Sequence, residues 1–306
     1  MTNSSNGYQW HRPDLGSPQT SGALTVWPLP GDSRGDDYML LATAVEKGIA
    51  RVTEVGGGNV PEIEIVNDGK LPLLGVQGEE YQGAKQNRSL NISILAGPGK
   101  TRIPVTCVEQ GRWDRSHGDF KPGRYESSKI RMEKAVMLSA SVKKGVTGMA
   151  RYIADQGRVW DAVDEVSSSH GVSSLTSALS DVYDSKHVRR VVDEIAGGID
   201  LPPDTRGAVV AIGGHLVAAD IFESSGVFAT VWPRMIEGFA LSAMGEKGVP
   251  PSAEAAESFV AAPCQLDWVA APSAGLGEDV RWESKQVVAT ALFWEGRVLH
   301  GSVFSR

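Results

Sequence analysis

Two short segments of this sequence hold more polar side chains than ordinary turns require. Residues 78–88, the first motif, read Gly-Glu-Glu-Tyr-Gln-Gly-Ala-Lys-Gln-Asn-Arg and lie between two apolar stretches. Hairpin loops need only about two to five residues, so this excess of acids, bases and amides indicates a functional site. Residues 104–113, the second motif, read Pro-Val-Thr-Cys-Val-Glu-Gln-Gly-Arg-Trp. They add a thiol, an acid, an arginine and an aromatic ring.

The first motif contains candidates for binding an anion. Lys85 could bind a phosphate or carboxylate as a point charge, and Arg88 could bind it through two parallel hydrogen bonds. The amides of Gln86 and Asn87 suit the hydroxyl groups of a ribose or the edge of a base. Structural alternatives stay open: Lys85 as a surface lysine, Asn87 as a residue that shapes a turn, and Arg88 in an internal ion pair.

Two acids are candidates for proton transfer. Glu80 could enter a pocket from a strand and act as a general acid or base, with a solvated turn as the alternative. Glu109 stands beside Arg112 and Trp113, so it could act in the same way or order Arg88 instead. We list Arg112 and Trp113 with the ligand-binding candidates. Glu80 and Glu109 are also the partners expected for Arg88 if its role is structural.

Cys107 is the candidate nucleophile, since Glu109 follows two positions later on the expected strand face. A thiolate forms more readily beside a histidine or another positive charge, whereas a carboxylate raises the pKa of a thiol. Packing in the core is therefore the stronger expectation for Cys107, and for Cys264 as well.

No cofactor or metal can be assigned from the sequence. The histidines show neither HxH nor HxxxH spacing, so we expect no metal site. The glycine-rich segments 56–58 and 97–99 match neither a dinucleotide-binding fingerprint nor a phosphate-binding loop.

The chain up to residue 113 is typical of short strands separated by tight turns. Alternation is clear in Glu62–Ile65 and Asn91–Ile94, which places one strand face in a core and the other in water. The predicted strands are Leu24–Pro28, Tyr38–Glu46, Ala50–Val55, Glu62–Asn67, Leu71–Val76, Ser89–Leu95 and Ile103–Glu109. The last two should form a hairpin across Gly97–Lys100, so that Lys85, Arg88, Cys107, Glu109 and Glu80 could converge on one edge of the sheet.

Helical spacing begins near Met149 and continues to the Gly197-Gly198 pair. A hairpin through Gly213-Gly214, a helix through Phe228–Phe239 with Pro233 in its first turn, a short helix over Ala253–Val260 and a hairpin through Glu295-Gly296 follow. This pattern predicts an α+β fold of mostly antiparallel, sandwich-like β layers, with the central helices packed on one side. We expect a flexible arm over 1–21 and one compact domain over 22–306, with possible subdomains at 22–113 and 145–306.

Composition limits the function classes. The chain has 306 residues, 41% hydrophobic and 22% charged, with a formal net charge of -7. An acidic chain without a basic run is not expected to bind nucleic acid. The first residues are polar and the sequence has no long apolar run, so we expect neither a leader peptide nor a membrane-spanning segment. With two cysteines and no CxxC pair, we expect a cytoplasmic protein. The oligomeric state stays open.

The two motifs, with Gln156–Trp160, the hairpin over 207–222 and the closing strand 299–304, resemble the family associated with ADP-ribosylglycohydrolase and rhodanese-phosphatase-superfamily proteins, a domain of unknown function. The resemblance implies a setting near ADP-ribose, NAD-derived or phosphate-ester metabolism. We therefore expect the protein to bind, and possibly to hydrolyse or transform, a small anionic ligand of that class. The alternative is a non-enzymatic scaffold or partner-binding module in which the first motif is a structural polar network. Whether the chain is an enzyme stays open.

Overall fold

The computed structural model describes residue 8 and residues 10–32, 37–114 and 118–306. The chain divides into two compact units. The terminal unit comprises Met1–Gly35, Val191–Ala271 and Gly277–Arg306, and the central unit comprises Asp36–Arg190 and Pro272–Leu276. Antiparallel sheets with helices make up both units, which confirms the α+β prediction.

One eight-stranded sheet forms the terminal unit, in the order β1-β2-β12-β13-β17-β16-β15-β14. Its strands are β1 (Gln19–Ser21), β2 (Leu24–Pro30), β12 (Thr205–Ile212), β13 (His215–Phe222), β14 (Trp268–Pro272), β15 (Glu278–Glu283), β16 (Val287–Trp294) and β17 (Arg297–Ser305).

Both hairpins predicted in this unit are present. Gly213 and Gly214 join β12 to β13, and Glu295 and Gly296 join β16 to β17; all four residues have a positive φ. Two successive positive φ values fit the type I′ turn, whose twist matches that of the flanking strands. These two-residue turns, of Gly213-Gly214 and Glu295-Gly296, therefore fix how the strands of each hairpin pair.

The helices of the terminal unit begin at serine caps. Ser224 accepts a hydrogen bond from Gly226 N before α6 (Ser225–Ala243), and Ser252 accepts one from Ala255 N before α7 (Ala253–Val260). The prediction of α7 is confirmed. Pro233 lies in the interior of α6 and not in its first turn, because the Ser224 cap starts the helix eight residues earlier.

The segment expected to be a flexible arm falls partly outside the described residues, which omit 1–7 and 9. Within the described part, β1 pairs with β2. The Trp10 side chain is 7% exposed and its Nε1 donates to the Val260 carbonyl at 2.9 Å. Residues 10–21 are thus part of the terminal unit.

The central unit contains a six-stranded sheet, β11-β7-β8-β10-β5-β4, and a three-stranded sheet, β3-β6-β9, in which β3 and β6 are parallel. Its strands are β3 (Met39–Leu40), β4 (Ala50–Asn59), β5 (Glu62–Asn67), β6 (Leu73–Gly75), β7 (Glu79–Gln82), β8 (Arg88–Leu90), β9 (Ile94–Ala96), β10 (Gly99–Cys107) and β11 (Lys121–Tyr125). Its helices are α1 (Leu41–Glu46), α2 (Ser128–Lys143), a 3-10 turn (Met149–Tyr152), α3 (Gln156–Ser169), α4 (Leu179–Asp184) and α5 (Lys186–Gly197), which continues into the terminal unit.

Two local predictions for the central unit are wrong, and one helix was missed. The strand predicted over Tyr38–Glu46 ends at Leu40, and Leu41–Glu46 is helical, since its leucine and alanines favour a helix as much as a strand. The predicted hairpin across Gly97–Lys100 does not form, because β9 pairs with β6 whereas β10 pairs with β5 and β8. Helix α2 was not predicted at all.

Among the residues that the structure describes, no helix combines the length and the apolar character needed to cross a membrane.

Candidate functional site

Both motifs contribute residues to the six-stranded sheet. Some of these residues lie on one face of the sheet and the others on the opposite face. Arg88 pairs with Cys107 on one side and with Tyr81 on the other, whereas Ser89 pairs with Glu80 and Thr106. Directly paired residues of antiparallel strands share a face, and successive residues alternate. Arg88 and Cys107 therefore lie on one face, which we call the arginine face, and Glu80 and Ser89 lie on the other, the glutamate face. The juxtaposition of Arg88 with Cys107 was predicted from the sequence.

Arg88 is completely buried, and only part of its hydrogen-bonding capacity is used. Its Nη1 donates to Gln86 Oε1 at 3.0 Å and to Cys107 Sγ. Its Nη2 lies 3.7 Å from Glu54 Oε2, close enough for an ion pair but too far for a hydrogen bond. Nε, Nη2 and the Glu54 oxygen have no hydrogen-bond partner within the described chain. The partner of Arg88 is thus Glu54, and not Glu80 or Glu109 as expected.

Trp113 and Lys85 form the outer side of the arginine face. The Trp113 side chain is 47% exposed, and its ring centroid lies 5.6 Å from the Arg88 guanidinium carbon. The Lys85 ammonium lies 4.9 Å from the same centroid and also donates to the Gly57 carbonyl. Both distances fall within the range of cation–π attraction. One exposed indole ring therefore contacts both cations that the first motif supplies.

Cys107 is buried at the end of β10. Burial raises the pKa of its thiol to about 11, against the lowering effect of the nearby Arg88 charge. The backbone of Cys107 is held by Gln156, whose side chain accepts from its N–H at 2.9 Å and donates to its carbonyl at 2.8 Å. These contacts favour the packing role over the nucleophile. The same expectation for Cys264 is wrong, because that residue is exposed. Glu109 does not share its strand face, because β10 ends at Cys107.

Arg112 and Glu109 form a buried bidentate ion pair. Nε and Nη2 of Arg112 donate to Oε1 and Oε2 of Glu109 at 2.9 and 2.7 Å. The remaining donors of the guanidinium reach the carbonyls of Ala84 at 2.6 Å, Asp114 at 3.0 Å and Gly83 at 3.2 Å. Arg112 thus holds the loop between β7 and β8, in which Ala84 has the left-handed φ of 46° that a non-glycine residue rarely adopts.

Asn87 completes this network. Its backbone N–H donates to Glu109 Oε2 at 3.0 Å, and its side-chain oxygen accepts from Gly83 N at 3.0 Å and from Arg112 Nη2 at 3.3 Å. Its amide nitrogen donates to Ser180 Oγ at 3.1 Å. Gln86 is similarly engaged, since it also donates to the Gln110 carbonyl at 3.0 Å. Asn87, Glu109 and Arg112 are therefore buried and mutually paired, and Gln86 is buried and bonded to Arg88 and Gln110, which is what the scaffold alternative expects.

Glu80 lies on the glutamate face and is 1% exposed. Burial raises the pKa of its carboxyl from 4.5 to about 7, while the hydrogen bond from Gln82 Nε2, at 2.9 Å, acts in the opposite direction. The charge of Glu126 raises it further. Its second oxygen, Oε1, has no hydrogen-bond partner among the described residues. The sheet separates Glu80 from Arg88, although Glu109 is near enough for its charge to raise the pKa of Glu80 as well.

A family model matches residues 12–304, almost the whole chain. Its description is the ARG and Rhodanese-Phosphatase-superfamily-associated Protein domain. The chain belongs to this family. No curated protein and no solved structure matches the sequence.

In this member of the ARG and Rhodanese-Phosphatase-superfamily-associated family, a fully buried ion pair also lies on the glutamate face. Lys134 Nζ lies 3.0 Å from Glu126 Oε2 and donates to Ser89 Oγ at 2.9 Å, and Ser89 donates to Glu126 Oε1 at 2.6 Å. Burial lowers the pKa of Lys134, and the Glu126 carboxylate opposes that shift. Neither residue was a predicted site residue.

Two sequence signals could have identified Glu54 and Lys134, which were not among the predicted site residues. Glu54 follows Ala50 and Val52 at the alternate positions of β4 that point to the core. Lys134 stands midway between Ile130 and Leu138, at the four-residue spacing of one helix face, and both flanking residues are completely buried. In each case a charged residue occupies an inward position, which indicates a buried partner.

Within the part of the chain that the structure describes, no three His, Cys, Asp or Glu side chains are grouped so that they could hold a metal ion.

Proposed function

We propose that the central unit of this family member binds a small phosphate-bearing anion of the nucleotide or ADP-ribose class at Arg88, Lys85 and Trp113. The observation that supports it is the Arg88 guanidinium, which is completely buried while Nε and Nη2 have no hydrogen-bond partner among the described residues. A buried charged donor without a partner costs free energy, typically about 1–3 kcal/mol or more. An oxyanion between Nε and Nη2 would satisfy both donors through the bidentate geometry that guanidinium groups prefer.

The local charge favours an anion. Arg88 and Lys85 contribute two positive charges near Trp113, and Glu54 contributes one negative charge at 3.7 Å from Arg88. The pair formed by Arg112 and Glu109 is neutral in sum. An excess of one positive charge thus remains on the arginine face of a chain whose formal net charge is -7. The exposed indole of Trp113 supplies a ring on which a base can stack.

Ligand entry requires a movement of Trp113. Arg88 is buried beneath the exposed ring of Trp113, so the anion reaches the guanidinium only when this side chain turns aside. If the ligand is turned over, the acid for proton transfer on this face is Glu54, because its Oε2 has no hydrogen bond. In this proposal Glu80 and Glu109 are not the reacting acids. Gln86, Asn87 and Arg112 do not contact the ligand but stabilise the loop between β7 and β8 that carries Lys85.

Isothermal titration of the full chain with ADP-ribose, NAD and inorganic phosphate tests the proposal. The variants Lys85→Ala and Trp113→Ala should each weaken binding of the organic ligands about tenfold or more, which corresponds to about 1.4 kcal/mol. Lys100→Ala is the matched control, since Lys100 is an exposed lysine that pairs with Glu64 at 3.2 Å elsewhere in the same sheet. Absence of heat with every ligand, or equal affinity in all three variants, would contradict the proposal.

The second candidate function is a non-enzymatic scaffold, and the buried network around Arg112 favours it. In that case Gln86, Asn87, Glu109 and Arg112 serve only to fix the loop between β7 and β8, and Arg88 and Glu54 form part of the same support. The scaffold predicts no small-ligand binding, together with a substantial fall in the melting temperature of Arg88→Ala. A thermal scan of Arg88→Ala beside the titrations therefore separates the two candidates.

We also propose a cytoplasmic location. Cys107 and Cys264 are both free thiols, and unpaired thiols are typical of reducing compartments. Fractionation of the producing cell checks this, and recovery of the protein outside the cytoplasmic fraction would contradict it.

A further inference from the structure

The terminal unit contains a cavity of about 540 Å³ that neither motif contributes to. Small-molecule sites typically enclose about 300–1,000 Å³. Trp10 and Ile221 give the cavity a buried apolar wall. Its charged lining comes from four residues: Arg206, Arg297, Glu223 and Asp32. The combination of apolar surface with a few convergent charges is the usual composition of a ligand site.

Arg206 is the unpaired cation of this lining. Its Nε is buried and has no hydrogen-bond partner among the described residues. It lies beside Gly31, where an added Cβ would come 2.1 Å from Arg206 Cδ and 2.4 Å from its Nε. The Arg206 side chain therefore occupies space that only a glycine at position 31 leaves open. The N–H of Gly31 donates to the Asp204 carbonyl at 2.8 Å, which fixes the position of Gly31.

The other charges do not neutralise Arg206. Arg297 is paired with Glu223 at 3.0 Å and its guanidinium lies 5.1 Å from the centroid of Trp294. Asp32 is exposed, and within the described part of the chain no ion pair joins it to Arg206. The indole nitrogen of Trp10 already donates to the Val260 carbonyl, so its ring offers the cavity an apolar surface. One partly buried positive charge of the lining is thus left without an ion-pair partner among the described residues.

We propose that this cavity binds a small organic oxyanion, a carboxylate or a phosphate monoester, through Arg206. Nε and one Nη of Arg206 donate to two oxygens of the anion in the fork geometry of a guanidinium. Trp10 and Ile221 contact the carbon skeleton of the ligand, and Asp32 accepts hydrogen bonds from its hydroxyl or amino groups. This site is independent of the anion site proposed for the central unit.

Titration of the full chain with benzoate, ribose 5-phosphate and inorganic phosphate tests this inference and separates the two sources of the oxyanion. At least one organic probe should bind the wild-type chain, and Arg206→Gln should weaken that binding about tenfold or more. Gly31→Ala should have the same effect while keeping the charge, because its Cβ displaces the Arg206 side chain. Arg102→Gln, at an exposed arginine of β10, serves as the matched control and should bind as the wild type does.

Lys85→Ala and Trp113→Ala should also keep full binding of the probe, so that failure of this site is distinguishable from failure of the central one. Binding by Arg206→Gln or by Gly31→Ala that equals wild-type binding would overturn the inference, as would the absence of binding by all three probes. Circular dichroism of each variant verifies that the chain is folded. If Gly31→Ala does not fold, binding by Arg206→Gln alone decides whether the inference holds.

Discussion

Replacing Arg112 by alanine should destabilise the central unit more than any surface substitution. The side chain of Arg112 is 5% exposed, and so is that of Glu109, to which it donates two hydrogen bonds of 2.9 and 2.7 Å. The variant leaves the Glu109 carboxylate buried without its counter-ion and removes donors from the carbonyls of Gly83 and Ala84. Removal of one partner from a buried ion pair typically costs about 3–5 kcal/mol.

The size of the expected change in melting temperature follows from the size of the unit. The central unit comprises Asp36–Arg190 and Pro272–Leu276, and a loss of 1 kcal/mol lowers the melting temperature by about 2–4 °C for domains of roughly this length. A loss of 3–5 kcal/mol therefore corresponds to about 6–20 °C. Arg112→Lys should recover little of it, because an ammonium group cannot reproduce the fork of parallel hydrogen bonds.

Thermal unfolding followed by circular dichroism, together with urea unfolding, measures this loss. Arg51→Ala is the matched control, because Arg51 and Asp68 form an ion pair at 2.5 Å whose side chains are 59% and 52% exposed. Exposed pairs contribute about 0–1 kcal/mol, so the control should unfold close to the wild-type temperature. If Arg112→Ala unfolds at the same temperature as Arg51→Ala, the buried network does not hold the loop and the reasoning is refuted.

Three further predictions concern other buried groups. Because the pKa of Glu80 is raised from 4.5 to about 7, its protonated form stabilises the folded state below pH 4.5, and this contribution is lost as the pH rises through 7. Between pH 4.5 and 8 the free energy of unfolding of Glu80→Gln should therefore rise by about 3 kcal/mol relative to that of the wild type, at 1.36 kcal/mol per pKa unit. Urea unfolding measures this difference. With a pKa of about 11, Cys107 should resist a thiol reagent at pH 8 in the folded chain while Cys264 reacts. Lys134→Met should lower the free energy of unfolding by about 3–5 kcal/mol, and adding Glu126→Gln should restore most of this loss. A double-mutant cycle measures both effects.

Each of these predictions has a contradicting result. A stability difference between Glu80→Gln and the wild type that stays constant from pH 4.5 to 8 would show that the carboxyl titrates normally. Rapid modification of two thiols in the native chain would place Cys107 within reach of solvent. Additive losses in the double-mutant cycle would mean that Lys134 and Glu126 do not depend on each other.

Local features of the fold were predictable because short-range sequence sets them. The paired positive-φ positions 213–214 and 295–296 identify their hairpins, and Ser252 identifies the start of α7. The wrong assignment of Leu41–Glu46 has an equally local cause, since the leucine and alanines of this segment are compatible with both a strand and a helix. The first motif was also recognisable, because its polar residues exceed what a turn needs.

The composition and sequence by themselves determined the α+β class, the tight hairpins and the membership suggested by the two motifs. The predicted convergence of five residues at one sheet edge was only partly right, since Arg88 pairs with Cys107 but Glu80 lies on the opposite face. The tertiary structure alone decided which acid meets which base. Arg88 meets Glu54 from β4, Glu109 meets Arg112, and Lys134 reaches Ser89, a residue 45 positions away in the chain. The physical reason is that strand alternation assigns a side chain to a face but does not say which element covers that face. Burial and charge pairing depend on that covering element.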